Sequence, residues 1–137
     1  MNLIDQVHTV EKFDRHVSAC LPVPVDAAIR YVSEAPSLAQ WYAGGTAQVE
    51  YADQQRMVFM VGIDHRVELE CIQRSDRCIA LRQRIDNSPP IAVTITFSEA
   101  ADGTHVDIAL SGEMSMFWQQ KALDDWSSIA ALGSGMT

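Results

Sequence analysis

Polar and apolar positions alternate along most of this chain, and only two stretches depart from that period. From about Phe13 to Leu21 the apolar positions Phe13, Val17, Ala19 and Leu21 recur at even spacing, as one face of a half-buried strand does. Pro22 and Pro24 stop that strand. Pro24 suits the first position of a helix, where its missing N–H costs little, and Ala27, Ala28, Ile29, Tyr31 and Val32 continue the helix with an apolar side. Pro36 biases Ala35 away from helical geometry, and Ser37 followed by Gln40 matches a capping box. A second short helix carrying Leu38 and Trp41 is therefore expected, ended by Gly44-Gly45.

From Thr46 to Glu113 the period is that of strands separated by turn residues. The expected strands are Thr46–Tyr51, Arg56–Ile63, Arg66–Arg74, Cys78–Ile85, Ile91–Ser98 and His105–Ser111. Asp53-Gln54, Ser75-Asp76, Asn87-Ser88-Pro89-Pro90 and Ala101-Asp102-Gly103 supply the turns. With the first strand these make seven, and their short connections favour antiparallel neighbours. The period then changes again: Trp118, Ala122, Trp126 and Ile129 step by four, four and three, which predicts an amphipathic helix of about four turns. Gly133 is placed to cap it, and Ser134–Thr137 to fray.

No internal repeat or linker divides the 137 residues, so one domain over 1–137 is expected, with 1–12 irregular or a short helix. A composition of 47% hydrophobic and 20% charged residues is that of a globular domain, and no apolar run reaches the roughly 18 residues that a membrane span needs. Met1–Val10 contains Asp5 and His8 and lacks a cationic start and an apolar core, so no secretory signal is expected and the cytoplasm is the expected location. The formal charge of −8, with Lys and Arg scattered, repels phosphate backbones and excludes nucleic acid as the expected partner. Cys20, Cys71 and Cys78 are odd in number and form no Cys-x-x-Cys pair, which argues against a disulfide framework and a zinc knuckle.

One strand, two short helices, six strands and a long last helix resemble the helix-grip fold of the START-like superfamily, with its pollen-allergen, polyketide cyclase and Hsp90-activator-like branches. The resemblance is carried by Leu-Pro-Val-Pro-Val-Asp-Ala-Ala-Ile entering the first helix, Ser-Leu-Ala-Gln-Trp-Tyr ending the second, and Phe117-Trp118 opening the last. It implies an α+β fold in which a seven-stranded curved antiparallel sheet wraps around the long C-terminal helix, with two short helices between strands 1 and 2. It also implies an elongated cavity for a small apolar or amphipathic molecule, with the short helices near one mouth. A bent sheet cannot lie flush on a straight helix, so side chains or a ligand must fill the gap.

The residues expected to line that cavity are Trp41, Tyr42, Met57, Phe59, Leu69, Cys71, Leu81, Gln83, Ile95, Phe97, Trp118, Ala122 and Trp126. Gln83 shares the parity of Ile79, Leu81 and Ile85, so its amide either points inward to orient a ligand carbonyl or hydroxyl, or is wetted at a sheet edge. Trp41 and Tyr42 either gate the mouth or plug it. Asp14-x-His16 and His105-x-Asp107 could offer metal ligands, but antiparallel pairing of the first and last strands sets Asp14 near Ser111 and far from His105; no metal and no cofactor is expected. Asp64-His65 reads as a turn. No nucleophile motif occurs, so catalytic residues stay unassigned.

Three functions are implied by this resemblance. The first is binding of a small apolar or amphipathic molecule by a monomer or homodimer. The second is an aromatase/cyclase-type enzyme acting on a polyketide-like substrate through Gln83, Tyr51 or Arg82. The third is a protein-interaction module of the Hsp90-activator-like type.

Overall fold

Seven strands form a single open antiparallel sheet in a computed structural model that describes residues 10–135. In chain order the elements are β1 (Glu11–Leu21), α1 (Val25–Ser33), α2 (Ala35–Ala39), a 3-10 turn (Tyr42–Gly45), β2 (Ala47–Ala52), β3 (Arg56–Val61), β4 (His65–Ser75), β5 (Cys78–Ile85), β6 (Ile91–Ala100), β7 (Gly103–Met114), α3 (Met116–Ser127) and α4 (Ile129–Gly135). Sheet order is β1-β7-β6-β5-β4-β3-β2, so each strand from β2 to β7 pairs with its chain neighbour and β1 closes on β7. The α+β class, the seven strands and the two short helices after β1 are as expected. The expectation for 1–12 lies outside the described residues except at its end, where Glu11 and Lys12 already belong to β1; of the tail, 136 and 137 also lie outside.

The period-two pattern fixes one face of the sheet as the core. Phe59, Val67, Leu69, Ile85, Val93, Ile95, Val106, Ile108 and Leu110 are all fully buried, with Ala122, Trp126 and Ile129 of the last helices packed over them. At about 25 cal/mol per Å² of apolar surface, a sheet face of this kind is the main stabilising layer of the domain.

Three local expectations are corrected. Pro24, with φ −61° and ψ 160°, is the N-cap of α1 and not its first residue. The helix α2 starts at Ala35 with Glu34 as N-cap, three residues before the expected Ser37 cap. Burial of Ala35 and Leu38 overrides the pre-proline bias, and Pro36 in the first turn forfeits no hydrogen bond. The long C-terminal helix is present as expected but bends at Ser128, where the Ser127 hydroxyl donates back to the Leu123 carbonyl at 2.6 Å, a bond that bends helices. Gly133 then sits inside α4 and does not cap it: a Cβ there would stand 2.7 Å from the Cys20 carbonyl oxygen, so its missing side chain lets α4 lie against β1.

Candidate functional site

Gln83 is the one polar side chain on the inner face of β5, following Ile79 and Leu81. It pairs across to Leu69 on β4 and Ile91 on β6, so it sits in the middle of the sheet and is fully buried, not wetted at an edge. Its Oε1 accepts from Trp126 Nε1 at 2.5 Å and from the Tyr42 hydroxyl at 3.3 Å. An indole N–H can only donate, so the amide must turn its oxygen toward Trp126 and its NH2 away. That NH2 is buried and has no partner among the described residues. An unpaired buried donor of this kind costs about 1–3 kcal/mol.

Around Gln83 the space between sheet and helix is filled by rings. Tyr42 stands 4.9 Å from Trp126 and 6.4 Å from Phe59, centroid to centroid, and Trp41 stands 6.0 Å from Trp126. Trp41 is 4% exposed, with its Nε1 donating to the Tyr31 carbonyl at 2.9 Å, so its ring is held in the helix packing. Burial raises the Tyr42 phenol well above its ordinary value, and the Asp125 charge pushes the same way; Tyr42 is a neutral donor at physiological pH.

The backbone that carries these rings is strained. Directly after Tyr42, Ala43 has φ 54° and ψ 40°, and Gly44 and Gly45 have φ 69° and 80°. A left-handed alanine costs about 1–2 kcal/mol. The turn is tied down by the Gly44 amide, which donates to Ser128 Oγ at 2.9 Å, at the break between α3 and α4.

A recess of about 30 Å³ opens beside this plug, floored by Val32, Met57, Cys71, Ile79 and Leu81 and rimmed by Ser33, Arg56 and Arg74. That volume holds about two waters, against roughly 300 Å³ or more for a pocket that encloses a small organic ligand.

Most of the expected lining residues therefore share one place. Tyr42, Phe59, Gln83 and Trp126 meet in the core with Trp41 beside them, and Met57, Cys71 and Leu81 floor the recess. Leu69, Ile95, Phe97 and Ala122 are buried on the same inner layer. Trp118 is at the margin: half-buried against the core cluster, it packs edge-on against His65 at 5.9 Å and lines a surface groove of about 310 Å³ with Asp86, Ser88 and Ser115. Tyr51 and Arg82 are exposed, bound to Asp53 at 2.7 Å and Glu70 at 3.5 Å, and neither enters the core. β1 and β7 pair with Asp14 opposite Ser111, and no three potential metal ligands cluster among the described residues. His65 opens β4, where its Nδ1 lies 2.8 Å from Asp86 Oδ2.

Sequence reasoning missed Asp125. It is 6% exposed, and burial raises its carboxyl pKa despite Lys121 Nζ at 3.2 Å. The i, i+4 spacing of Lys121 and Asp125 was the available signal, but that spacing is commonest on wet helix faces.

No helix among the described residues is long and apolar enough to cross a membrane. No protein-family model matches the chain, and no curated protein matches it in sequence. Solved structures do match in shape. An uncharacterised protein from Rhizobium leguminosarum is 12% identical, with a TM-score of 0.69 over 93% of this chain and 98% of its own. CalU16 from Micromonospora echinospora is 12% identical, with a TM-score of 0.61 over 94% and 81%. DynU16, a protein of the dynemicin biosynthetic locus, is 20% identical, with a TM-score of 0.66 over 86% of this chain and 46% of its own. At these identities the likeness is one of fold, and the seven-stranded sheet with its bent C-terminal helix fits the helix-grip architecture.

Proposed function

We propose that this chain is a START-like domain that binds a small apolar or amphipathic molecule between the sheet and the C-terminal helix. The single observation that carries the reading is the buried, unpartnered NH2 of Gln83. A native core rarely leaves such a donor unpaired, and an acceptor oxygen on a ligand would complete it. The strained turn after Tyr42 supports the same reading, because a strained segment carrying the plug rings is a ready element to move aside. DynU16, which shares the fold, is encoded in a locus for dynemicin biosynthesis, which is consistent with a polyketide-like molecule as the ligand class.

Native mass spectrometry of the protein purified from its own host tests the proposal. The expected result is a co-purifying small molecule that is released on unfolding. A bare chain that also takes up no ketone or acid of medium chain length contradicts it.

A second reading, an aromatase/cyclase-type enzyme, has one observation in its favour. Tyr42, which donates to Gln83, and Asp125 both have raised pKa values and are electrostatically coupled, so a neutral phenol and a largely buried carboxyl with a raised proton affinity influence one another. Its test is turnover of a linear polyketide mimic, lost in Tyr42→Phe while the mimic still binds.

A further inference from the structure

One cation on the rim of the recess has no counterion among the described residues, and a local irregularity in the sheet put it there. In β4, Cys71 lies opposite Leu81, but Gln73 lies opposite Ala80 and Arg74 opposite Ile79. The extra residue, Ile72, is a bulge, and one extra residue reverses side-chain parity. Without it, the inner face that runs through Val67, Leu69 and Cys71 would continue to Gln73. With it, Arg74 takes the inner side next to buried Ile79 and lines the recess with Met57, Cys71 and Leu81.

The other charges at the rim are already matched. Arg56 Nε stands 2.5 Å from Glu68 Oε1. Asp53 accepts from the Tyr51 hydroxyl at 2.7 Å and from the amides of Gln55 and Arg56 at 2.8 Å each. Arg74 has only a 3.4 Å bond from Nη2 to Ser33 Oγ, and no ion pair with a carboxylate joins it among the described residues. Most of the guanidinium's five donors are therefore open, above an apolar floor, in a chain whose formal charge is −8.

We propose that Arg74 anchors an oxyanionic head group, which makes the ligand an amphipathic acid. This rests on the binding function proposed above and sharpens its ligand class. The head sits on the Arg74 fork, the apolar body runs over Met57, Cys71 and Leu81, and an acceptor oxygen meets Gln83. From Ile79, opposite Arg74, to Gln83 is four residues along β5, about 13 Å at about 3.3 Å per residue, a span suited to a medium-length chain.

The test is calorimetric titration of the full chain with three probes: 9-oxodecanoate, which has both polar ends, decanoate, which has only the acid, and 2-decanone, which has only the ketone. Both acids are expected to bind about tenfold more tightly than 2-decanone at low salt, and Arg74→Met to abolish that advantage while leaving 2-decanone unchanged. Arg74→Lys, which keeps the charge and loses the fork, should retain part of it. Decyl phosphate in place of decanoate distinguishes a phosphate head from a carboxylate one. If the acids bind no better than 2-decanone, or keep their advantage in Arg74→Met, the Arg74 proposal is overturned while the binding function stands. If the folded protein binds none of the probes, the binding function fails and the Arg74 proposal fails with it.

Discussion

Replacing Gln83 by Met keeps the volume of the side chain and removes both its acceptor and its orphaned donor. Two buried donors, Trp126 Nε1 and the Tyr42 hydroxyl, then lose their partner. Each unpaired donor costs about 1–3 kcal/mol, and the Tyr42 bond, at 3.3 Å, belongs at the low end. Removing the unpaired NH2 returns about 1–3 kcal/mol, so the net expectation is a loss of about 1 kcal/mol of stability. With a urea slope of about 1–3 kcal/mol per molar, the unfolding midpoint should fall by about 0.3–1 M. Urea unfolding followed by circular dichroism measures this, and a cycle of Gln83→Met with Tyr42→Phe isolates the Tyr42 bond, with an expected coupling of about 0.5–1.5 kcal/mol. A Gln83→Met protein as stable as the parent would overturn this expectation, because it would mean that the amide oxygen contributes nothing to holding the two rings.

Three further outcomes are expected. Gly133→Ala should cost about 1–3 kcal/mol in urea unfolding, since the new Cβ would crowd the Cys20 carbonyl at 2.7 Å; an unchanged midpoint would mean that α4 does not lie on β1 as described. Ala43→Gly should relieve a backbone held at φ 54° and stabilise the protein by up to about 1 kcal/mol, whereas a loss of stability would argue against strain in the turn. Burial holds the Asp125 carboxyl above the usual 3.8, so the native state binds its proton more tightly than the unfolded chain does. Its contribution is therefore fully present below that usual value and is lost as pH rises through the raised one. The stability of the parent relative to Asp125→Asn should fall across that window, and a rise would reverse the assigned direction.

The layers of this fold were legible because period-two alternation survives along β3, β5 and β6. Met57 and Phe59, Leu81 and Gln83, and Ile95 and Phe97 all stand where their parity puts them. Parity fails where a residue is inserted, and the bulge at Ile72 is silent in the sequence, so the inward turn of Arg74 was not legible. Helix starts and stops followed burial in preference to local signals: Ala35 was drawn into α2 against its proline neighbour, and Gly133 serves a close approach to β1 that no local pattern encodes. Of the site itself, inward parity singled out Gln83, but its bonds to Tyr42 and Trp126 join residues more than 40 positions apart and come only from tertiary packing. Whether the gap between sheet and helix is open or filled depends on side-chain rotamers, which composition does not fix; here Tyr42, Phe59 and Trp126 fill it.

The Gln83 NH2, proposed as a donor to a ligand oxygen, reports on that role directly through its own nitrogen resonance. In a ¹H–¹⁵N spectrum the Gln83 side-chain pair is the one missing from the Gln83→Met protein, and it can be followed as 2-decanone is added. These two protons are expected to shift downfield in a saturable way, as a new acceptor arrives, with the indole proton of Trp126 following more weakly. A saturable shift confined to the surface groove at Trp118, or a Gln83 pair that never moves, would contradict that role.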